Sequence, residues 1–243
     1  MLLSVVIPAF NEAKILADTL GRIKCALEDN RDQGFEWEII VCDNHSTDET
    51  SAVSRENGAL VVCEPVNQIS RARNTGAGIA RGQWLLFIDA DTYPTTALIR
   101  ETIDTIRAGN IIGCSATVKV KGGPFLFRFR VESHNLEMRL MKNGVGAFLL
   151  CDANAFRAIE GFSHDLSALE EIDFIKRLKA YGHANGKSFT VLHRHPVVTS
   201  GRKGNLYSNF DISKSICLAL WSLVCQRKIR SPKSLPYWYD GRR

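Results

Sequence analysis

Hydrophobic and polar positions come in short alternating blocks along the first hundred residues. Leu2-Leu3-Ser4-Val5-Val6-Ile7 has strand composition, and Pro8 is expected to stop it. Leu16, Leu20, Ile23 and Leu27 then recur at helical spacing. Asn11 is the expected N-cap of that helix, with Glu12 in the first turn, where the helix dipole favours an anion. A second strand is predicted at Glu38–Cys42, ending in Asp43, and a third at Leu60–Cys63. Residues 70–82 read as a helix with Gly82 as its stop, and Trp84–Ile88 as a fourth strand. Strands and helices that alternate in this way predict an α/β domain with a mostly parallel sheet flanked by helices.

The second half is less regular. Strands are expected at Ile111–Val120 and Ala147–Cys151, and helices at Pro124–Lys142 and from Leu169 onward. His193 and His195 fall two apart in a further strand, on one side of it. Residues 205–227 read as an amphipathic or core helix carrying Ile212, Ile216, Leu220 and Leu223. The aromatic, basic end at 236–243 is suited to stacking on a sugar, to a bilayer interface or to packing as a terminal latch.

Composition narrows the class. The chain has 243 residues, 45% hydrophobic and 23% charged, which suits a globular domain with a real core. Its longest apolar run, Ile216 to Cys225, is about half of what a membrane-spanning helix needs. No basic lead or small-residue cleavage site opens the chain, so no signal peptide is expected. The 7 cysteines are scattered, odd in number and never in a C-x-x-C pair, which predicts free, buried thiols and a cytoplasmic location. The net charge of +5 is uneven: residues 201–243 carry +7 and residues 1–200 carry −2. That basic end suits an anionic ligand such as a diphosphate, an anionic membrane surface touched peripherally, or plain solvation.

Chemistry concentrates at Asp89-Ala90-Asp91, just past the fourth strand. Open α/β sheets bind ligands at the carboxyl ends of their strands. A strand has no structural use for two anions at its tip, whereas a hard divalent cation takes oxygen ligands and bridges to a substrate diphosphate. The alternative is a solvated turn with an Asx cap.

Four segments in order carry a resemblance. Ser4-Val5-Val6-Ile7-Pro8-Ala9-Phe10-Asn11-Glu12, Val41-Cys42-Asp43-Asn44 with Ser46-Thr47-Asp48, Ala72-Arg73-Asn74-Thr75-Gly76, and Phe87-Ile88-Asp89-Ala90-Asp91 resemble the consecutive motifs of family 2 glycosyltransferases of GT-A fold. The likeness is dense to about residue 95 and looser to about residue 182. It implies a single GT-A domain at residues 1–204, with a Rossmann-like nucleotide-sugar half at 1–95 and an acceptor half at 96–204. Residues 205–243 would pack on the same domain.

The resemblance also implies a nucleotide-diphospho-sugar donor, a divalent cation (Mn²⁺ or Mg²⁺) and inversion at the anomeric carbon. Backbone groups of Pro8, Ala9 and Phe10, with Glu12, would then flank the base. Asp43 would accept the uracil imide N–H, favouring a UDP-sugar, or else cap the following turn. Arg73 would lie near the base or diphosphate, or else be a surface helix arginine. Asp89 would face the ribose, Ala90 would lie between the acids, and Asp91 would ligate the metal, with Asp89 as a further candidate ligand. Arg202 and Lys203 sit in a cationic loop suited to closing over the diphosphate.

The base is expected in Leu169-Glu170-Glu171-Ile172-Asp173-Phe174-Ile175-Lys176-Arg177-Leu178, where the family usually has Glu-Asp-x-Asp-Leu-x-x-Arg-Leu. Glu171 stands where Asp is usual and is the base by register; Glu170 either orients it or is the base itself. Asp173 and Arg177 read as an i, i+4 helix ion pair. His193 or His195 could complete a metal shell, though Asp91, diphosphate oxygens and water would suffice.

The expected partners are a nucleotide-sugar and a sugar or lipid-linked acceptor, not nucleic acid; a homo-oligomer is left open. A nucleotidyltransferase would need a Gly-rich basic loop after the first strand, which Pro8–Glu12 is not. A binding protein without a base is disfavoured by the retained acids.

Overall fold

A computed structural model describes residues 1–201 apart from 123, 145 and 167–168, and apart from the side chain of residue 126. The helix expected at 205–227, the aromatic end at 236–243, and Arg202 and Lys203 therefore lie outside the described residues.

The elements run β1 (Leu2–Ala9), α1 (Ala13–Glu28), β2 (Glu36–Asp43), α2 (Thr50–Glu56), β3 (Leu60–Cys63), α3 (Ile69–Gly78), β4 (Trp84–Ile88), β5 (Thr92–Tyr93), α4 (Thr96–Arg107), β6 (Ile111–Lys121), α5 (Phe125–Met141), β7 (Phe148–Asp152), α6 (Ala153–Ala158), α7 (Glu170–Ala184) and β8 (Ser188–Ser200). They build one mixed sheet of order β3-β2-β1-β4-β7-β6-β8-β5. β3, β2, β1 and β4 are parallel, β7 is antiparallel to both neighbours, β6 and β8 are parallel, and β5 is antiparallel to β8. The chain winds outward from β1 to β2 and β3, then returns to place β4 on the other side of β1. That reversal opens a crevice at the carboxyl ends of β1, β2 and β4.

The period-2 pattern of the strands divides the core. Leu3, Val5 and Ile7 of β1 pack with Leu16, Leu20, Ile23 and Leu27 of α1 and with Leu98, Ile99 and Ile103 of α4. Val6 of β1, with Leu85 and Phe87 of β4, faces the opposite layer beside Phe156, Phe162, Phe174 and Leu178. There Phe162 stacks on Phe174 at 4.3 Å and Phe87 meets Phe162 edge-on at 5.1 Å. These rings pin α7 and the segment before it under the sheet.

Several local expectations change in the fold. Pro8 does not end β1, which runs to Ala9 with Pro8 opposite Cys42. β4 pairs only with Leu3–Val6, so the missing N–H of Pro8 lies past that ladder. Asn11 is not the cap of α1. It adopts a left-handed φ of 54°, and its Oδ1 accepts the Thr47 N–H at 2.8 Å. Glu12 occupies the N-cap position rather than the first turn. α3 ends at Gly78, not at Gly82. A Cβ on Gly82 would meet the Ser4 Oγ at 2.6 Å and the Ser4 N at 2.7 Å, so this glycine lets the chain lie against β1. Among the described cysteines Cys42, Cys114 and Cys151 are buried, whereas Cys25 and Cys63 are exposed rather than buried as expected.

Candidate active site

The floor of the crevice is made by three strand ends and the loops that leave them. The Asn44 N–H donates to the Ala9 carbonyl and the Glu64 N–H to the Asp43 carbonyl, both at 2.8 Å. The loop after β1 is laced to the loop after β2: Asn11 N–H reaches the Ser46 Oγ at 3.0 Å, Glu12 N–H the Thr50 Oγ1 at 2.9 Å, and Ala13 N–H the Asp48 Oδ2 at 3.1 Å. Pro8, Ala9 and Phe10 therefore form a fixed rim, with Ala9 paired to Asp43 in register.

Asp43 is buried and holds its own loop. Its Oδ1 accepts the Ser46 N–H at 2.9 Å, and its Oδ2 accepts from the Ser51 hydroxyl. The turn-capping alternative for this residue is thus realised, and each oxygen retains a lone pair for a further donor.

At the tip of β4 a turn closes through Thr92 N–H to the Asp89 carbonyl at 3.0 Å, with Ala90 buried inside it. Asp89 and Asp91 leave this turn in different directions. The Asp91 carboxylate accepts from Ser200 Oγ at 3.1 Å and lies 3.3 Å from Thr92 Oγ1, which anchors it to the end of β8. The Asp89 side chain is 30% exposed, and its Oδ1 lies 3.3 Å from Arg73 Nη2.

Arg73 is the hub. It is not a surface arginine; its side chain is 2% exposed, with Nη1 on Glu170 Oε1 at 2.6 Å and its guanidinium over the Phe162 ring at 5.2 Å. Gly146 makes the space, because a Cβ there would fall 2.2 Å from Arg73 Nη2. Burial works against the arginine's charge, but Glu170, Asp89 and Glu171 offset it and raise the Arg73 pKa. Burial, with Glu171 alongside, raises the Glu170 carboxyl above its ordinary range, and Arg73 opposes this. Glu170 is 3% exposed, so it faces Arg73 rather than the crevice. Glu171 is half-buried in the first turn of α7, where the helix dipole favours its anion.

Two further residues tie the two halves together, and a third braces the segment before α7, through contacts not expected from sequence. Asn74 clamps the backbone of Phe162, donating to its carbonyl at 2.8 Å and accepting its N–H at 2.9 Å. Gln68 donates to the His164 and Leu166 carbonyls at 2.7 and 3.1 Å. Arg177 does more than pair with Asp173 at 2.8 Å: it also donates to the Ile159 and Gly161 carbonyls at 2.6 and 2.8 Å. The Arg73-Asn74 dipeptide was a visible signal; its partners nearly ninety residues on were not.

The histidines do not join the acids. His193 lines a cavity against α5 with Arg128 and Arg139, whereas Asp91 neighbours Thr199 and Ser200. Among the described residues no group of three His, Cys, Asp or Glu side chains could hold a metal. Asp89 turns to Arg73 and Asp91 to Ser200, so the fit to a divalent cation is that of a single carboxylate, with substrate phosphates and water filling the rest of the shell.

This is a mixed α/β architecture of GT-A type, with a crevice at a topological switch point. The profile of Glycosyl transferase family 2 matches residues 4–163, and the chain belongs to that family. It is 30% identical over 152 residues to the dolichol-phosphate mannosyltransferase of Pyrococcus furiosus, a match covering 59% of this chain and 39% of that protein. This chain thus spans well under half of that relative's length. The fold is similar to that of the mannosyltransferase PcManGT from Pyrobaculum calidifontis, solved with GDP-Man and Mn²⁺: TM-score 0.66, 17% identity, 98% of this chain and 68% of that one. It is also similar to S. aureus TarS in complex with UDP-GlcNAc: TM-score 0.63, 16% identity, 96% of this chain and 69% of that one.

Proposed function

We propose that the chain transfers a sugar from a nucleotide-diphospho-sugar to an acceptor hydroxyl, with inversion, by single displacement. The observation that carries this reading is the Arg73 hub. One buried guanidinium joins Asp89, just past the end of β4, to Glu170 at the start of α7, the residue before Glu171. Family membership and solved relatives that hold GDP-Man or UDP-GlcNAc support a nucleotide-sugar donor.

In this mechanism residues 1–95 bind the donor and residues 96–204 present the acceptor and the base. The fixed rim of Pro8, Ala9 and Phe10, with Glu12 behind it, flanks the nucleobase. Asp43 offers its remaining lone pairs to the uracil imide N–H, which favours a UDP-sugar. Asp89 faces the ribose. Asp91, with Asp89 as the further candidate ligand, would hold a divalent cation, Mn²⁺ or Mg²⁺, which would supply charge neutralisation at the leaving diphosphate. Glu171 takes the acceptor proton as the acceptor oxygen bonds to the anomeric carbon, and the bond from that carbon to the diphosphate oxygen breaks with its electron pair on the phosphate. A lipid-linked acceptor, reached at the cytoplasmic face of a membrane, is the class suggested by the dolichol-phosphate relative.

Calorimetric titration of UDP with and without Mn²⁺ tests the donor side. Binding should tighten with the metal, and Asp91→Asn should abolish that tightening while leaving the circular dichroism spectrum unchanged. Equal UDP affinity in EDTA and in Mn²⁺ would refute the metal site.

A further inference from the structure

The helix α5 carries two apolar faces, and only one of them is used. Val131, Asn135 and Met138 point inward: Met138 is 1% exposed, and Asn135 bonds both the N–H and the carbonyl of Val118 at 2.8 Å. Val118 sits where the pairing of β6 with β8 slips in register, so Asn135 satisfies backbone groups that the ladder leaves over. This fixes how α5 is turned. Phe125, Phe129, Leu136 and Leu140 are consequently presented to the outside, 81%, 60%, 56% and 76% exposed. At 100° per residue these four project within about 60° of one another, on the side opposite the packed face, along about 23 Å of helix.

Four large side chains in one outward stripe are not the scattered apolar residues of an ordinary surface. One edge of the stripe is cationic. Arg128 and Arg139 border it and continue into a cavity of about 300 Å³ that also holds Lys119 and His193, with Glu132 as its acid. Among the described residues no helix is long and apolar enough to cross a membrane, so this stripe is not part of a span.

We propose that α5 is a membrane-docking surface that lies flat in the interface of an anionic bilayer, with the stripe among the acyl chains and the Arg128–Arg139 edge at lipid phosphates. Charge chooses this occupant. Arg128, Arg139 and Lys119 outnumber Glu132 along that edge and its cavity, which complements lipid phosphates. A second copy packed antiparallel on α5 across a two-fold axis would set that same edge against itself. An anionic lipid surface complements both the stripe and the edge. The docking does not depend on the transfer reaction, and it is measured without donor or acceptor.

The test is sedimentation of the full chain with vesicles of phosphatidylcholine alone and of phosphatidylcholine mixed with phosphatidylglycerol. The wild type should bind the mixed vesicles. Phe129→Ser/Leu140→Ser leaves net charge untouched and removes two exposed side chains, so it should fold normally and lose at least about tenfold in partition. Arg128→Gln/Arg139→Gln should lower binding and flatten its salt dependence. No binding by the wild type would overturn the proposal. So would undiminished binding by Phe129→Ser/Leu140→Ser, which would leave attraction to the basic end as the cause. Conversion of a dimer to a monomer by that variant, read by light scattering, would make the occupant a second copy instead.

Discussion

Removing the Arg73 guanidinium is the most direct test of how this site is held together. In Arg73→Met the Glu170 carboxylate stays 3% exposed and loses its partner at 2.6 Å, while Asp89, 30% exposed on its side chain, can turn to water. Breaking a buried ion pair from one side costs about 3–5 kcal/mol, because the acid left inside must keep an uncompensated charge or take up a proton. For a domain of this size that corresponds to a fall in Tm of roughly 6–20 °C. Arg73→Met/Glu170→Leu removes both charges and should recover most of the loss, since apolar replacement of a buried pair is often neutral. Urea unfolding of the wild type, both single variants and the double variant gives the coupling energy, which should exceed about 1.5 kcal/mol. A cost below about 1 kcal/mol for Arg73→Met, or additive single changes, would show that the pair neither carries buried charge nor joins the two halves.

The remaining expectations concern the base and the thiols. Glu171→Gln is nearly isosteric and should lower sugar transfer by about 10²–10⁴-fold with donor affinity little changed, because the base acts on the acceptor. Glu170→Gln should show its effect in stability; if it abolishes transfer while Glu171→Gln does not, the neighbouring acid is the base. Peptide mapping after alkylation of the native protein should find Cys25 and Cys63 modified and Cys42, Cys114 and Cys151 protected. Burial pushes the Cys42 thiol up to about 12, so the protection should persist at mildly alkaline pH and end only on unfolding.

Much of the first half of the fold was legible in the chain itself. β3 falls on Leu60–Cys63 as the pattern predicts, and the hydrophobic positions of α1 are the ones that face β1. The acids that end β2 and β4 were visible because a buried strand has no use for a terminal anion. These features are local: side-chain period and turn chemistry act within a few residues. What a single side chain does at a strand end is not local. Pro8 stays in β1 because β4 stops short of it, and Gly82 serves strand contact rather than a helix stop.

The roles of the charged residues were decided by tertiary structure alone. A helical Arg73 reads equally as surface or site until Gly146 and Phe162 enclose it. Glu170 and Glu171 are alike in sequence, and the turn of α7 separates them into a buried partner of Arg73 and a half-buried acid. The stripe on α5 faces outward only because Asn135 is committed to Val118. Periodicity fixes which residues share a face. Burial and long-range contact, which assign each face its neighbour and each charge its partner, depend on how the whole chain packs.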